Sequence, residues 1–448
     1  MQSLGLGLNV TVFLWIITYS VFAQAAYAEQ LVATIPVSNS PDAVAYDSGK
    51  GEIFVANNNI AGTVSIISDS TNAVVSGDTI SVGNSPDAVA YDSGKGEIFV
   101  ANFGGNTVSA ISDSTNAVVA TIPVGNGTSA IAYDSGKGEI FVAGVGTNAI
   151  AVISDSTNAV VATIPVGNNP QGVAYDSGKG EIFVANTNAN TVSIISDSTN
   201  AVVATISVGN SPDAVAYDSG KGEIFVANEL TSSISIISDS TNSLVATISV
   251  GSSPIAVAYD SGKGEIFVAN FGGNTVSAIS DSTNAVVATI PVGSNPIAVA
   301  YDSGKGEIFV ANTNANTVSI INDVTNTVAV SPTSGPTGTT VTVSGTAFLA
   351  FHSITVKYDG TTMTTSPATV TTTASGEIPA GVTFPVPDSA SGNHTVTVTD
   401  GTNSPTATYM VSSPIPRFSV DVIVFLVMIG VGIYLAMRYR TRLMGMSR

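Results

Sequence analysis

No cysteine occurs anywhere in the 448 residues, which excludes disulfides, thiolate metal sites and a cysteine nucleophile. Histidine is nearly as scarce. The two, His352 and His394, lie outside the repeated part of the chain without metal-like spacing, so a haem or histidine–zinc site in the repeats is excluded by inventory. Basic residues number 13 against 32 acidic ones, a formal net charge of -19, and so acidic a chain is a poor partner for nucleic acid. Divalent cations or neutral glycans suit it better. Charged residues of both signs make up only 10%, while hydrophobic residues reach 44%. Low charge with abundant Val, Ile and Ala points to β-structure, because disordered chains lack those apolar residues. The length suffices for two or three folded units.

Each end of the chain differs from the middle. Residues 1–28 hold an apolar stretch, Val10–Phe22, then Ala26-Tyr27-Ala28, a small-x-small site before Glu29. This is the pattern of a secretory signal peptide; with no Lys or Arg ahead of the apolar stretch, it also fits an uncleaved anchor. Phe418–Met437 is apolar apart from Ser419 and Asp421, and about twenty residues at about 1.5 Å each span about 30 Å, the thickness of a bilayer core. Arg438, Arg440, Arg442 and Arg448 follow, which the positive-inside rule places in the cytoplasm. The expectation is a protein on the extracellular face of the cell membrane. Its parts would be a signal peptide at 1–28, an ectodomain, a linker at 413–417, a single-pass transmembrane helix at 418–437 as anchor, and a basic cytoplasmic tail at 438–448.

The middle is repetitive. Asp-Ser-Gly-Lys-Gly-Glu-Ile-Phe-Val-Ala occurs seven times, beginning at Asp47, Asp92, Asp134, Asp176, Asp218, Asp260 and Asp302. A period near 40 residues signals a solenoid or a propeller. Each unit reads as four short strands, in the third unit Ala130–Tyr133, Glu139–Ala143, Ala149–Ile153 and Ala159–Val166. The run Ile-Phe-Val-Ala is apolar without alternation, as expected of a strand covered on both faces, and four-stranded sheets packed around an axis cover their inner strands in this way. The array opens with Leu31–Val37, which matches a fourth strand, and ends with Thr317–Asn322, which matches a third. Joined, they complete one sheet and remove the free edges an open array would leave. The expected fold is all-β: a seven-bladed propeller at 31–326 with N-/C-terminal strand closure, then a second β domain and the C-terminal helix.

The phrases Phe-Val-Ala-Asn, Thr-Val-Ser-Ile-Ile and Ala-Thr-Ile-Pro-Val-Gly resemble the YVTN family of β-propellers, which includes archaeal surface-layer proteins. From Val328 the vocabulary changes. Ser331-Pro332-Thr333-Ser334-Gly335-Pro336-Thr337-Gly338, Gly345-Thr346-Ala347-Phe348 and Ser391-Gly392-Asn393-His394 resemble an IPT/TIG immunoglobulin-like module over 328–412, and alternating Thr and Val suit sandwich strands. The resemblance implies a spacer or a contact surface.

Within a four-stranded meander, first-to-second and third-to-fourth turns leave one face of a disc, and second-to-third turns and inter-unit links leave the other. The first pair is nearly invariant from unit to unit; the second pair varies. Binding residues commonly ride on variable loops held by a rigid scaffold, although neutral drift of copied units would give the same pattern. The candidate ligand face comprises Asn57, Asn102, Asn106, Asn148, Gln171, Asn186, Asn190, Asn228, Asn270, Asn274, Asn312 and Asn316. At the start of each innermost strand stand Asp42, Asp87, Ser129, Gln171, Asp213, Ile255 and Ile297, expected to rim a central channel. Among these, Asp42, Asp87 and Asp213 are candidate oxygen ligands for Ca²⁺, with ordinary hydration the plainer reading. No cofactor is otherwise called for, and no catalytic constellation stands out. The Asp-Ser-Gly-Lys-Gly-Glu turn reads as hairpin chemistry, its two glycines relieving φ > 0. Asn126-Gly127-Thr128 and Asn393-His394-Thr395 match the glycosylation pattern, which chance often produces.

The leading expectation is a surface-layer-like or adhesive cell-surface protein whose variable face binds an extracellular glycan or protein. The alternative is a lactonase-like or other cation-dependent hydrolase or lyase using the channel mouth, a chemistry that also occurs on seven-bladed propellers. A coat subunit without a small ligand is the third.

Overall fold

The computed structural model describes residues 29–322, 327–346, 348, 352–373, 377–400 and 404–412. They form two compact units, one holding the repeats and the other beginning at Thr327. Every Ile-Phe-Val-Ala run is a strand interior no more than 1% exposed. It is the second strand of a four-stranded antiparallel sheet, flanked by sheets on both faces, which is why its apolar residues do not alternate.

Numbered by their Asp-Ser-Gly-Lys-Gly-Glu turns, the sheets follow one plan. Sheet 1 runs Pro41–Asp47, Glu52–Asn57, Thr63–Ser68, Ala73–Ser81, each strand paired with the next. Sheets 2 to 6 repeat it. Sheet 7 runs Pro296–Asp302, Glu307–Asn312, Thr317–Asn322 and takes its fourth strand, Gln30–Pro36, from the start of the array. Between neighbouring sheets lie apolar clusters. One joins Phe54 and Ile66 of sheet 1 to Ile98 and Val100 of sheet 2; another joins Ile35, Phe309 and Val318 of sheet 7 to Val44, Ile53 and Val55 of sheet 1. Burying one such side chain is worth about 1.5–3 kcal/mol, so each sheet draws much of its stability from its neighbours.

Two polar devices recur. In each turn the buried aspartate folds back as an Asx turn: Asp47 Oδ1 accepts from the backbone N–H of Gly49 at 2.8 Å and of Lys50 at 3.2 Å. The tyrosine hydroxyl of the following sheet donates to the same carboxylate, Tyr91 to Asp47 and Tyr133 to Asp92, and Tyr46 of sheet 1 donates to Asp302 of sheet 7. Burial, and then the hydrogen bond to a carboxylate, push the Tyr91 hydroxyl up to about 12. This clasp corrects the expectation about the glycines. Only Gly51 has φ > 0, at 68°. At Gly49 a Cβ would lie 2.6 Å from the Tyr91 hydroxyl oxygen, so that glycine makes room for the neighbouring sheet and relieves no strain.

The second unit is a pair of sheets, one built on Thr327–Ser331, Thr340–Thr346 and Thr383–Pro385, the other on Ser353–Tyr358, Gly392–Thr399 and Thr406–Val411. Its valines 341, 343, 356, 396 and 398 are buried while the intervening threonines face outward or lie half-buried, the alternation of an immunoglobulin-like sandwich.

The expected membrane anchor is corrected. Among the described residues no helix is long and apolar enough to cross a membrane; the helical element is the three-residue turn Glu229–Thr231, about 6 Å long at about 2 Å per residue, against about 30 Å of hydrocarbon. The anchor at 418–437 and its flanks at 413–417 and 438–448, like the signal peptide at 1–28, lie outside the described residues. The placement at the extracellular membrane face, which rested on that anchor, is withdrawn with it.

Candidate functional site

The innermost strand of each sheet carries a β-bulge at one position. Pro41 pairs with Asn57 and Ala43 with Ala56, leaving Asp42 without a partner. The same slip falls at Asp87, Ser129, Gln171, Asp213, Ile255 and Ile297. A bulge re-aims a side chain, and these seven all line one cavity of about 260 Å³, walled otherwise by Ala, Val, Ile131 and Gly172. The rim expected from the sequence is thus gathered at one place.

The rim is uneven in charge. Asn58 holds sheets 1 and 2 together there, its Nδ2 donating to Asp42 Oδ2 at 2.5 Å and to Asp87 Oδ1 at 3.3 Å. Asp87 is pushed far above the usual carboxylate range, to about 8, by burial first, then by the charge of Asp42 and a hydrogen bond with it, then by Asp213. Asp87 therefore keeps its proton near neutrality. Asp213 is raised to about 7 by burial and by Glu229, whose Oε2 accepts from Ser211 Oγ at 3.2 Å. Ser129 Oγ donates to the carbonyl of Pro170 at 2.9 Å. Ile255 and Ile297 make the remaining sector apolar. Among the described residues no three His, Asp or Glu side chains gather closely enough to hold a metal ion.

The asparagines of the candidate ligand face serve the scaffold. Asn57, Asn102, Asn186, Asn228, Asn270 and Asn312 are fully buried, each donating Nδ2 to a serine of the adjacent third strand: Asn102 to Ser109 Oγ at 3.0 Å, Asn312 to Ser319 Oγ at 2.9 Å. Asn106, Asn148, Asn190, Asn274 and Asn316 adopt φ between 51° and 55°, and each Oδ1 accepts a backbone N–H of the following inter-sheet link. The partners are Gly127 for Asn106, Asn169 for Asn148, Ser211 for Asn190, Asn295 for Asn274 and Ser40 for Asn316. Of the twelve, only Gln171 faces the cavity. Recurrence at one register was the available signal, since a residue repeated in nearly every unit is more simply a fastener than a reader. Asn102→Ala is accordingly expected to lower stability by about 1–3 kcal/mol, the cost of orphaning buried polar partners, as read by denaturant unfolding.

Within the variable turns, sequence reasoning singled out the asparagines and not the residue that follows each of the buried ones. In sheet 1 it is Asn58 and in sheet 5 Glu229, both at the rim. Phe103 occupies the same place in sheet 2 and is 42% exposed; Ile60 and Leu230, at loop tips on the same side, are 86% and 74% exposed. The signal was present, because this place changes chemistry from unit to unit.

Residues 326–414 match the IPT/TIG domain. No curated protein matches the chain. Among solved structures, hydrazine synthase from Kuenenia stuttgartiensis is similar in fold, with a TM-score of 0.58 at 17% identity, covering 64% of this chain and 97% of that one.

Proposed function

We propose that the repeats form a closed seven-bladed propeller of the YVTN kind that acts as a binding or adhesive module, recognising a partner with the face that carries the central cavity and the second-to-third turns. One observation carries the reading. In a chain copied almost residue for residue, the seven bulge positions that line the cavity differ in charge and polarity. Apolar tips at Ile60, Phe103 and Leu230, exposed beside that mouth, supply the contact area that the buried asparagines do not. The IPT/TIG domain at 326–414 fits a spacer or second contact surface. Arrays of glycans and peptides probed with the full chain test this. Binding should be lost in a variant carrying Phe103→Ser and Leu230→Ser, and retained when Val119 and Val161, exposed on the outermost strands, are changed to Ser. The reverse pattern would move recognition to the perimeter.

A second reading has its own support. Two neighbouring carboxyls inside a cavity, with Asp87 raised toward neutrality, are one arrangement that serves acid–base hydrolysis. It requires product formation from a lactone or glycan, abolished by Asp42→Ala or Asp87→Ala; binding without turnover favours the first reading.

A further inference from the structure

The cavity is chemically lopsided in a way that selects a ligand, if the repeats bind there as proposed. Asp42 and Asp87 belong to sheets 1 and 2, and Asp213 belongs to sheet 5. Around seven sheets, the midpoint between the first and second stands half a circuit from the fifth. The acidic groups therefore form two poles facing each other across the cavity, a pair on one side and a single carboxylate on the other. Asp213 is half-buried, lines the cavity, and its carboxylate takes part in no hydrogen bond among the described residues, with Glu229 adding negative charge beside it. No Lys, Arg or His lines the cavity. A carboxylate that faces a cavity without a protein partner favours a positive charge or a donor from outside the protein.

We propose that the cavity binds a short, linear diammonium ligand, one ammonium seated at Asp42 and Asp87 and the other at Asp213, with its methylene chain lying along Ile255 and Ile297. The volume suits this class. About 260 Å³ holds roughly nine waters at ~30 Å³ each, enough for a straight-chain diamine and too little for a bulky polycation. An anion meets like charge at both poles. A neutral polyol leaves Asp213 uncompensated. A monoamine satisfies one pole only. Because Asp87 and Asp213 hold protons near neutrality, seating two ammonium groups displaces protons, and affinity rises with pH from 5 to 8 until the amines themselves lose charge. Asp42, Asp87 and Asp213 are the titratable groups lining the cavity, and Glu229 acts on Asp213 from outside that lining.

Calorimetric titration of the full chain with straight-chain diaminoalkanes, from propane to hexane, tests the assignment against pentylamine, pentanediol and calcium chloride. One site is expected, with the best diamine at least about tenfold tighter than pentylamine, the usual return on a second close charge pair. Asp213→Asn should reduce the diamine to the monoamine level and leave pentylamine unaffected, whereas Asp87→Asn should weaken both. Thermal melts of each variant confirm folding, and the proton release should shrink in both. Equal affinity for diamine and monoamine, indifference to Asp213→Asn, or preferential binding of calcium or the diol would overturn the proposal. If no diamine binds while array ligands still depend on Phe103 and Leu230, the ligand class falls and the binding role stands; if neither binds, both fall.

Discussion

Deleting residues 29–37 is expected to unfold the whole repeat array, rather than to fray one edge. The strand Gln30–Pro36 lies beside Thr317–Asn322, pairing Ile35 with Val318 and Leu31 with Ile321. Its removal exposes Val318, Ile320 and Ile321, all fully buried, and takes Ile35 out of the cluster between sheets 7 and 1. Uncovering several large aliphatic side chains at about 2–5 kcal/mol each matches the entire stability of a typical domain, about 5–15 kcal/mol. Other fasteners fail with it. Glu29 pairs with Lys263 of sheet 6, Asn316 Oδ1 holds the backbone of Ser40, and Tyr46 meets Asp302. Circular dichroism and thermal melting should therefore show loss of the cooperative transition, and a peptide of residues 29–37 added in excess should restore part of it. A truncated chain melting at the parent temperature would mean that the sheets stand in an open row, and the shared cavity would lose its basis.

The array was legible in the sequence because its determinants are local and repeated seven times. An unbroken apolar run bounded by an Asp-Ser-Gly turn and a Thr-Val-Ser phrase admits few structures, and unlike ends of one array point to a shared sheet. The rim residues were legible for the same reason, since one register per unit held them. Side-chain destinations were less so. Asn102 and Asn106 occur in a polar loop, yet Asn102 turns inward to Ser109 and Asn106 ties the next link; a polar side chain in a turn gives no sign of which backbone groups it must satisfy. Gly49 was misread because its neighbour Tyr91 lies 42 positions further on, in another sheet. The bulge that turns Asp42 into the cavity has no marker in composition. It becomes visible only as a skipped partner in the ladder.

Neutralising Asp87 is expected to stabilise the protein at alkaline pH, the opposite of what removing most charged residues does. In the folded state its carboxyl is raised to about 8, chiefly by burial, whereas in the unfolded chain it titrates near 3.8. Between those values the folded protein holds a proton that the unfolded chain has released, so stability falls as pH rises through the window. Below pH 4 both states are protonated and nothing is lost. Asp213, raised to about 7, behaves alike over a slightly narrower window. Asparagine has the same shape and no charge to desolvate, so Asp87→Asn and Asp213→Asn remove the dependence. A four-unit shift corresponds to a ceiling of about 5 kcal/mol at 1.36 kcal/mol per unit, and water in the cavity brings the expected gain nearer 1–3 kcal/mol for each variant. Denaturant unfolding from pH 4 to 9 should show parent and variants coinciding at pH 4, separating steadily as pH rises toward 8 and running parallel beyond it, with the variants higher. Parallel curves would show that the cavity carboxyls are hydrated and ordinary, and a variant lower than the parent at pH 9 would show that Asp87 is held by a positive partner. A diamine at a fixed concentration should narrow the gap from the other side, by stabilising the parent more than Asp213→Asn, because linkage stabilises the folded state in proportion to how tightly it binds the ligand.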